Sequence, residues 1–195
     1  IGTVYVGNNY ERDEMFKKYY SDAAGPLRQM GMQTTVYGNW LQTSPERISP
    51  QEVLKRYPDI AFVDRVGFHE SMKILNKALC TVHITKDRYA KQGFISPRYL
   101  ENIVCGTPAL VPGEFMKNDI LGKEWTVNST SDVIAAVLAM RDGMTSYKDG
   151  TGNLRADIVA SQKENLLKTH DFSVSSVMKM IEEIARNPTE AVKNV

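Results

Sequence analysis

Apolar residues in this chain come in short bursts, separated by longer stretches where they recur every three or four positions. Residues 3–6 (TVYV) form an unbroken run closed by Gly7, which suits a buried strand, and residues 11–30 then carry apolar side chains at helical spacing. Residues 33–37 alternate and are β-branched before Gly38-Asn39-Trp40, predicting a second strand that stops at a turn. The stretch 41–58 holds three prolines and reads as loop around one short helix at 50–56. Beyond it the pattern predicts strand 60–63, helix 69–78, strand 80–85, helix 97–105, strand 108–111 and strand 125–128. A helix follows from Ser131, as N-cap with Asp132 in the first turn, to Arg141. Residues 142–152 read as an exposed loop, and helices at 154–169 and 174–186 close the chain around the break His170-Asp171-Phe172-Ser173.

Strands alternating with helices imply crossover connections, hence a parallel sheet covered on both faces. The fold class is α/β, a doubly wound parallel sheet. The 195 residues, 42% hydrophobic and 24% charged, have the composition of a globular domain and exclude collagen, a disordered chain and a disulfide scaffold. Lys plus Arg at 24 against Asp plus Glu at 23 gives a net charge of +1, so no broad positive field exists for non-specific nucleic-acid binding. Cys80 and Cys105 lie among apolar neighbours without metal or redox spacing and read as buried free thiols. No apolar run approaches the ~20 residues that span a bilayer. The expected location is therefore cytoplasmic with no membrane partner, and the abrupt opening on a strand suggests a piece of a longer protein.

In an open parallel sheet, ligands collect beyond the carboxyl ends of the strands. Three loops there carry distinctive residues. In Gly7-Asn8-Asn9-Tyr10-Glu11-Arg12 a small residue permits close approach, and a basic Arg12 near a helix start opposes the dipole unless an anion is present. A plain turn with a solvated Arg12 explains it equally. In Ser96-Pro97-Arg98-Tyr99-Leu100-Glu101, Ser96 caps a helix, Pro97 fits its first position, and Arg98 and Glu101 share a face. That face offers a guanidinium for phosphate and a carboxylate for hydroxyls, although a surface ion pair is the simpler account of the spacing. In Arg65-Val66-Gly67-Phe68 exposed backbone could meet a nucleobase edge, or form an ordinary turn. His83 falls in a strand and reads as a satisfied core residue, His69 as a helix-start residue, and His170 as packing between helices; no catalytic triad or metal cluster is suggested.

The segment TVYVGNNYERDEMFKKY followed by TTVYGNW, the segment SPRYLENIVCGTPALVP, and the tail QKENLLKTHDFSVSSVMKMIEEI together resemble the C-terminal half of CgeB-type (spore-maturation-protein) glycosyltransferases, related to group 1 glycosyltransferases. The family's motif Arg-aromatic-x-Glu-x-x-x-x-Gly is matched by Arg98, Tyr99, Glu101 and Gly106, whereas Asp171 stands where Thr is usual and an Arg early in the last helix is missing. The resemblance implies one half of a GT-B architecture: a Rossmann-like donor-binding domain over 1–172, and a C-terminal helix over 173–195 that packs back across the domain boundary. It implies a nucleoside-diphosphate sugar as substrate, metal-independent and retaining transfer with no cofactor, and an N-terminal acceptor-binding domain of the same protein as partner, without which this half is inactive. Glu101 and Arg98 would be catalytic, the first on sugar or ribose hydroxyls and the second on the leaving diphosphate with Arg12. Gly7, Asn8, Ser96 and Tyr99 would bind the donor, and Arg65, Val66 and Gly67 would bracket the base. A non-catalytic nucleotide-sugar module and a GT-B sugar epimerase are the alternatives.

Overall fold

The computed structural model describes residues 2–42, 48–92, 96–118, 125–146 and 154–169. The segment 170–195, with its expected last helix, lies outside them, as does 147–153. Among the described residues six short strands are ordered in parallel: β1 (Val4–Val6), β2 (Thr34–Tyr37), β3 (Ile60–Val63), β4 (Thr81–Val82), β5 (Ala109–Pro112) and β6 (Thr126–Val127). β2 pairs with β1 and β3, with Val4 opposite Thr35 and Thr34 opposite Ile60; β5 pairs with β4 and β6, with Thr81 opposite Ala109 and Val111 opposite Thr126. The two trios meet at a parallel bridge between Thr3 and Cys80, where Val4 N donates to Cys80 O over 3.2 Å. The strand order is therefore β3-β2-β1-β4-β5-β6, and the winding reverses between β1 and β4.

Beyond that bridge a side chain replaces the backbone ladder. The Tyr20 hydroxyl accepts from Val82 N over 2.7 Å and faces the Val4 and Val82 carbonyls at 3.1 and 2.9 Å, so the strands diverge without orphaning buried amide groups. Tyr20 reaches there from a helical run composed of α1 (Asp13–Phe16), a π turn (Lys17–Ser21) and α2 (Asp22–Gln29). The run fills the expected 11–30 helix, and adjacent Tyr19 and Tyr20, on the π turn, are both buried.

β1 shows why the sheet is wound on both faces. Val4 and Val6 pack toward α4 (Phe68–Lys77) with Leu75 and Met72, while Tyr5 points oppositely into edge-on contact with Phe16, Tyr20 and Trp40. α3 (Pro50–Arg56) starts on a genuine cap, Ser49 Oγ accepting from Glu52 N. A short α5 (Asp87–Ala90), not signalled by periodicity, follows β4. α6 (Pro97–Val104) ends at Gly106, whose φ of 71° suits a residue without a β-carbon. There Gly106 N donates to Ile103 O and Thr107 N to Asn102 O, which closes the helix in a Schellman motif. Behind the sheet, α8 (Leu154–Thr169) inserts the buried Gln162, whose amide both donates to Ala109 O and accepts from Ala109 N in β5.

The start of α7 (Thr130–Ser146) differs from the sequence expectation: Ser129, not Ser131, is the capping hydroxyl. Its Oγ accepts from Asp132 N, and the Asp132 carboxylate accepts from Asn128 N and Ser129 N, a reciprocal box that satisfies more donors than Ser131 could reach. These bonds, that from Asn128 first, hold the Asp132 carboxyl below its usual range. The helix also runs to Ser146, so part of the expected 142–152 loop is helical.

Candidate functional site

The carboxyl ends of β1 to β4 open into a crevice of about 560 Å³ at the point where the winding reverses. Chain segments distant in sequence converge there. β1 brings Tyr5, Gly7 and Asn8; the following turn brings Arg12; the β3–α4 loop brings Arg65, Val66 and Phe68; and the start of α6 brings Ser96, Arg98 and Glu101. Eight of the ten expected site residues thus line one cavity: Gly7, Asn8, Arg12, Arg65, Val66, Ser96, Arg98 and Glu101.

Gly7 is fixed by its surroundings. Its N–H donates to Tyr37 O over 2.9 Å, its carbonyl accepts from Trp40 Nε1 over 2.8 Å, and a β-carbon on it would stand 2.5 Å from the Tyr5 hydroxyl oxygen. The turn beyond is held by Arg12, whose Nη1 donates to Asn8 O over 2.6 Å and to Tyr10 O over 3.2 Å. Arg12 is therefore not freely solvated; it braces the loop from inside, with its Nε buried and without a hydrogen-bond partner among the described residues. Glu11 adopts φ of 50°, and its carboxylate pairs with Arg88 over 3.0 Å and Lys86 over 3.6 Å, which fastens this turn to the β4–α5 loop. Asp87 accepts from Glu14 N and Met15 N, so the α1 N-terminus is already capped by a protein carboxylate.

On the opposite wall Arg98 Nη1 and Glu101 Oε2 form an ion pair, as the simpler reading of their spacing holds, and both side chains also line the crevice, 35% and 26% exposed. The ion pair and the site are one arrangement. Ser96, by contrast, makes no side-chain bond to the α6 amides; it holds the N-cap position in extended backbone, with its carbonyl accepting from Tyr99 N.

Two expected donor contacts fall elsewhere. Tyr99 is 1% exposed, with its ring edge-on to His83 at 5.6 Å, because the helical position next to Arg98 points into the core. Burial pushes its phenol up to about 12. Gly67 is the N-cap residue of α4 and does not line the crevice. In the Arg-aromatic-x-Glu-x-x-x-x-Gly motif, then, the aromatic and the glycine are structural and the two charged residues face the cavity. Sequence reasoning missed Tyr5, which reads as strand core; Phe68, the last residue of the third loop, is 62% exposed on the crevice rim.

His83 is buried as expected but not satisfied; neither ring nitrogen has a hydrogen-bond partner among the described residues, and the ring packs against Tyr99 and Phe115. Burial drives it down to about 3, so it is a neutral core group. Cys80 and Cys105 are buried free thiols, and burial pushes Cys80 up to about 12. Among the described residues no group of three or more His, Cys, Asp or Glu gathers to hold a metal, and no helix is long and apolar enough to cross a membrane.

Residues 21–176 match the family model described as glycosyl transferase-like. No curated protein matches the sequence. Among solved structures, T4 phage BGT in complex with UDP and Mn2+ is 17% identical, with a TM-score of 0.59 over 87% of this chain and 46% of that one. TarM is 10% identical, with a TM-score of 0.60 over 93% of this chain and 34% of that one. A Thermobaculum terrenum O-GlcNAc transferase mutant is also 10% identical, with a TM-score of 0.59 over 95% of this chain and 35% of that one. The likeness is one of fold, and this chain spans less than half the length of each.

Proposed function

The chain belongs to the glycosyl transferase-like family, and from that premise we propose that its crevice binds a nucleoside-diphosphate sugar, the donor for transfer to an acceptor held by a further domain. The observation that carries this reading is the convergence of Arg12, Arg65 and Arg98 with a single carboxylate, Glu101, on one cavity at the strand tips. Three guanidiniums suit a diphosphate, whose charge grows on the leaving oxygen as the glycosidic bond breaks. Glu101 accepts from hydroxyls of the sugar or ribose, and its pairing with Arg98 keeps both side chains at fixed positions. At the β3–α4 end, Phe68 offers an exposed ring face to a base between Arg65 and Val66.

T4 phage BGT was solved with UDP and Mn2+. The donor set of this crevice does not fit a cation: Glu101 is the one carboxylate among the described lining residues and is tied to Arg98. We therefore assign leaving-group stabilisation to arginines. The sequence motifs further support a CgeB-type member, this chain being its donor half.

Titration calorimetry with UDP-, GDP- and dTDP-sugars tests the proposal. Binding of one of them at sub-millimolar affinity, retained in EDTA, is expected; absence of binding to all three at millimolar concentration overturns it.

A further inference from the structure

We propose that the Tyr5 hydroxyl is a ligand-contacting group of the crevice, donating a hydrogen bond to a phosphate oxygen held between Arg12 and Arg98. This rests on the nucleoside-diphosphate reading above and adds a residue to which neither the motifs nor the resemblance assigns a role.

The ring of Tyr5 belongs to the core, in edge-on contact with Phe16, Tyr20 and Trp40 at centroid separations of 5.9, 5.4 and 6.2 Å. Such packing fixes the ring and with it the direction of the C–O bond. That bond runs along the strand toward the crevice, because the hydroxyl lies against Gly7, two residues on at the tip of β1, and Tyr5 lines the cavity with Gly7 and Asn8. A buried phenol ordinarily donates to a protein acceptor. Tyr20, its neighbour in the same cluster, does so toward strand carbonyls. The Tyr5 hydroxyl makes no hydrogen bond to the described residues, and it is not among the sealed unpartnered atoms either, so the 5% of Tyr5 that stays accessible includes it. It is a donor presented at the cavity floor.

Its electrostatic setting suits an anion. Burial raises the Tyr5 phenol above its usual value, so it keeps its proton at neutral pH, while Arg12 and Arg98 both lie near enough to pull the other way. A neutral donor sharing a cavity with two cations has an anionic oxygen as its natural acceptor. Phenylalanine at this position would retain every ring contact, so tyrosine is required only for the oxygen.

The test compares wild type with Tyr5→Phe, using whichever of UDP, GDP and dTDP the wild type binds best, its free nucleoside, and inorganic pyrophosphate. Loss of a hydrogen bond to a charged group predicts about tenfold weaker binding of the diphosphate and of pyrophosphate, with nucleoside affinity unchanged. Equal diphosphate affinity in the two proteins overturns this inference and leaves the donor reading standing. Equal losses for diphosphate and nucleoside overturn it too, since they signal a reshaped cavity. A variant that fails to fold contradicts the absence of an internal partner and also overturns it. A wild type that binds none of the three diphosphates removes the donor reading, and the inference with it.

Discussion

The Tyr5 hydroxyl lies directly against Gly7, so close that a β-carbon at position 7 would stand 2.5 Å from its oxygen and 2.8 Å from the ring carbon bearing it. Tyr5 cannot yield easily, because three rings hold it from the sides. Gly7→Ala is therefore expected to lose about 1–3 kcal/mol of stability, the usual cost of overpacking, and to deform the crevice floor. Urea denaturation checks the first effect and nucleotide titration the second; a variant as stable as wild type would mean the ring is free to move.

The Arg98–Glu101 pair is partly exposed, so its contribution to folding is small while its position in the crevice is central. Glu101→Ala is expected to leave the melting temperature nearly unchanged and to weaken nucleotide-sugar binding by at least about 1 kcal/mol, roughly fivefold. Calorimetry on the folded variant decides. Unchanged affinity would reduce Glu101 to a partner of Arg98.

Tyr20 joins the two halves of the sheet through its hydroxyl. Tyr20→Phe keeps the ring but leaves Val82 N and the facing carbonyls unpaired in a buried place, at a cost of about 1–3 kcal/mol. A cooperative urea transition shifted to lower concentration is the expected result. An unshifted transition would mean that β1 and β4 pair without it.

His83 makes stability depend on acid. Its folded value, about 3, lies below the ordinary histidine value, so from about pH 6 downward the unfolded chain takes up a proton that the folded chain refuses. Stability then falls by about 1.4 kcal/mol per pH unit from this residue, and the loss levels once the folded value is passed. His83→Phe should flatten the acid limb by that slope relative to wild type. Denaturant melts of both proteins at about pH 7, 6 and 5 measure the difference, and parallel curves would show that His83 gains a partner or water.

Local signals placed the elements well where near neighbours decide them. The boundaries 50–56 and 60–63 match α3 and β3, because a Pro at the first helical turn and a bounded apolar run are complete within a few residues. Local signals misled at Ser131 and at Tyr99. Ser131 has the right chemistry for a cap, yet the Asp132 carboxylate turns back on Asn128 and Ser129. Tyr99 stands beside a crevice arginine in sequence and a core histidine in space, since adjacent helical positions point about 100° apart.

The residues that would bind a donor were legible one loop at a time: an arginine after the first strand, another after the third, and an Arg-x-x-Glu opening a helix. Their membership of one site came only from the resemblance, not from the residues of any one loop. It follows from the order β3-β2-β1-β4, set by the bridge from Thr3 to Cys80 and by the hydroxyl of Tyr20 between Val4 and Val82. Strand and helix preference is written in neighbouring residues, so the chain's α/β alternation could be read directly. Which strand tips adjoin depends on hydrogen bonds between segments far apart in sequence, and that pairing turns three separate loops into a single crevice with Tyr5 at its floor.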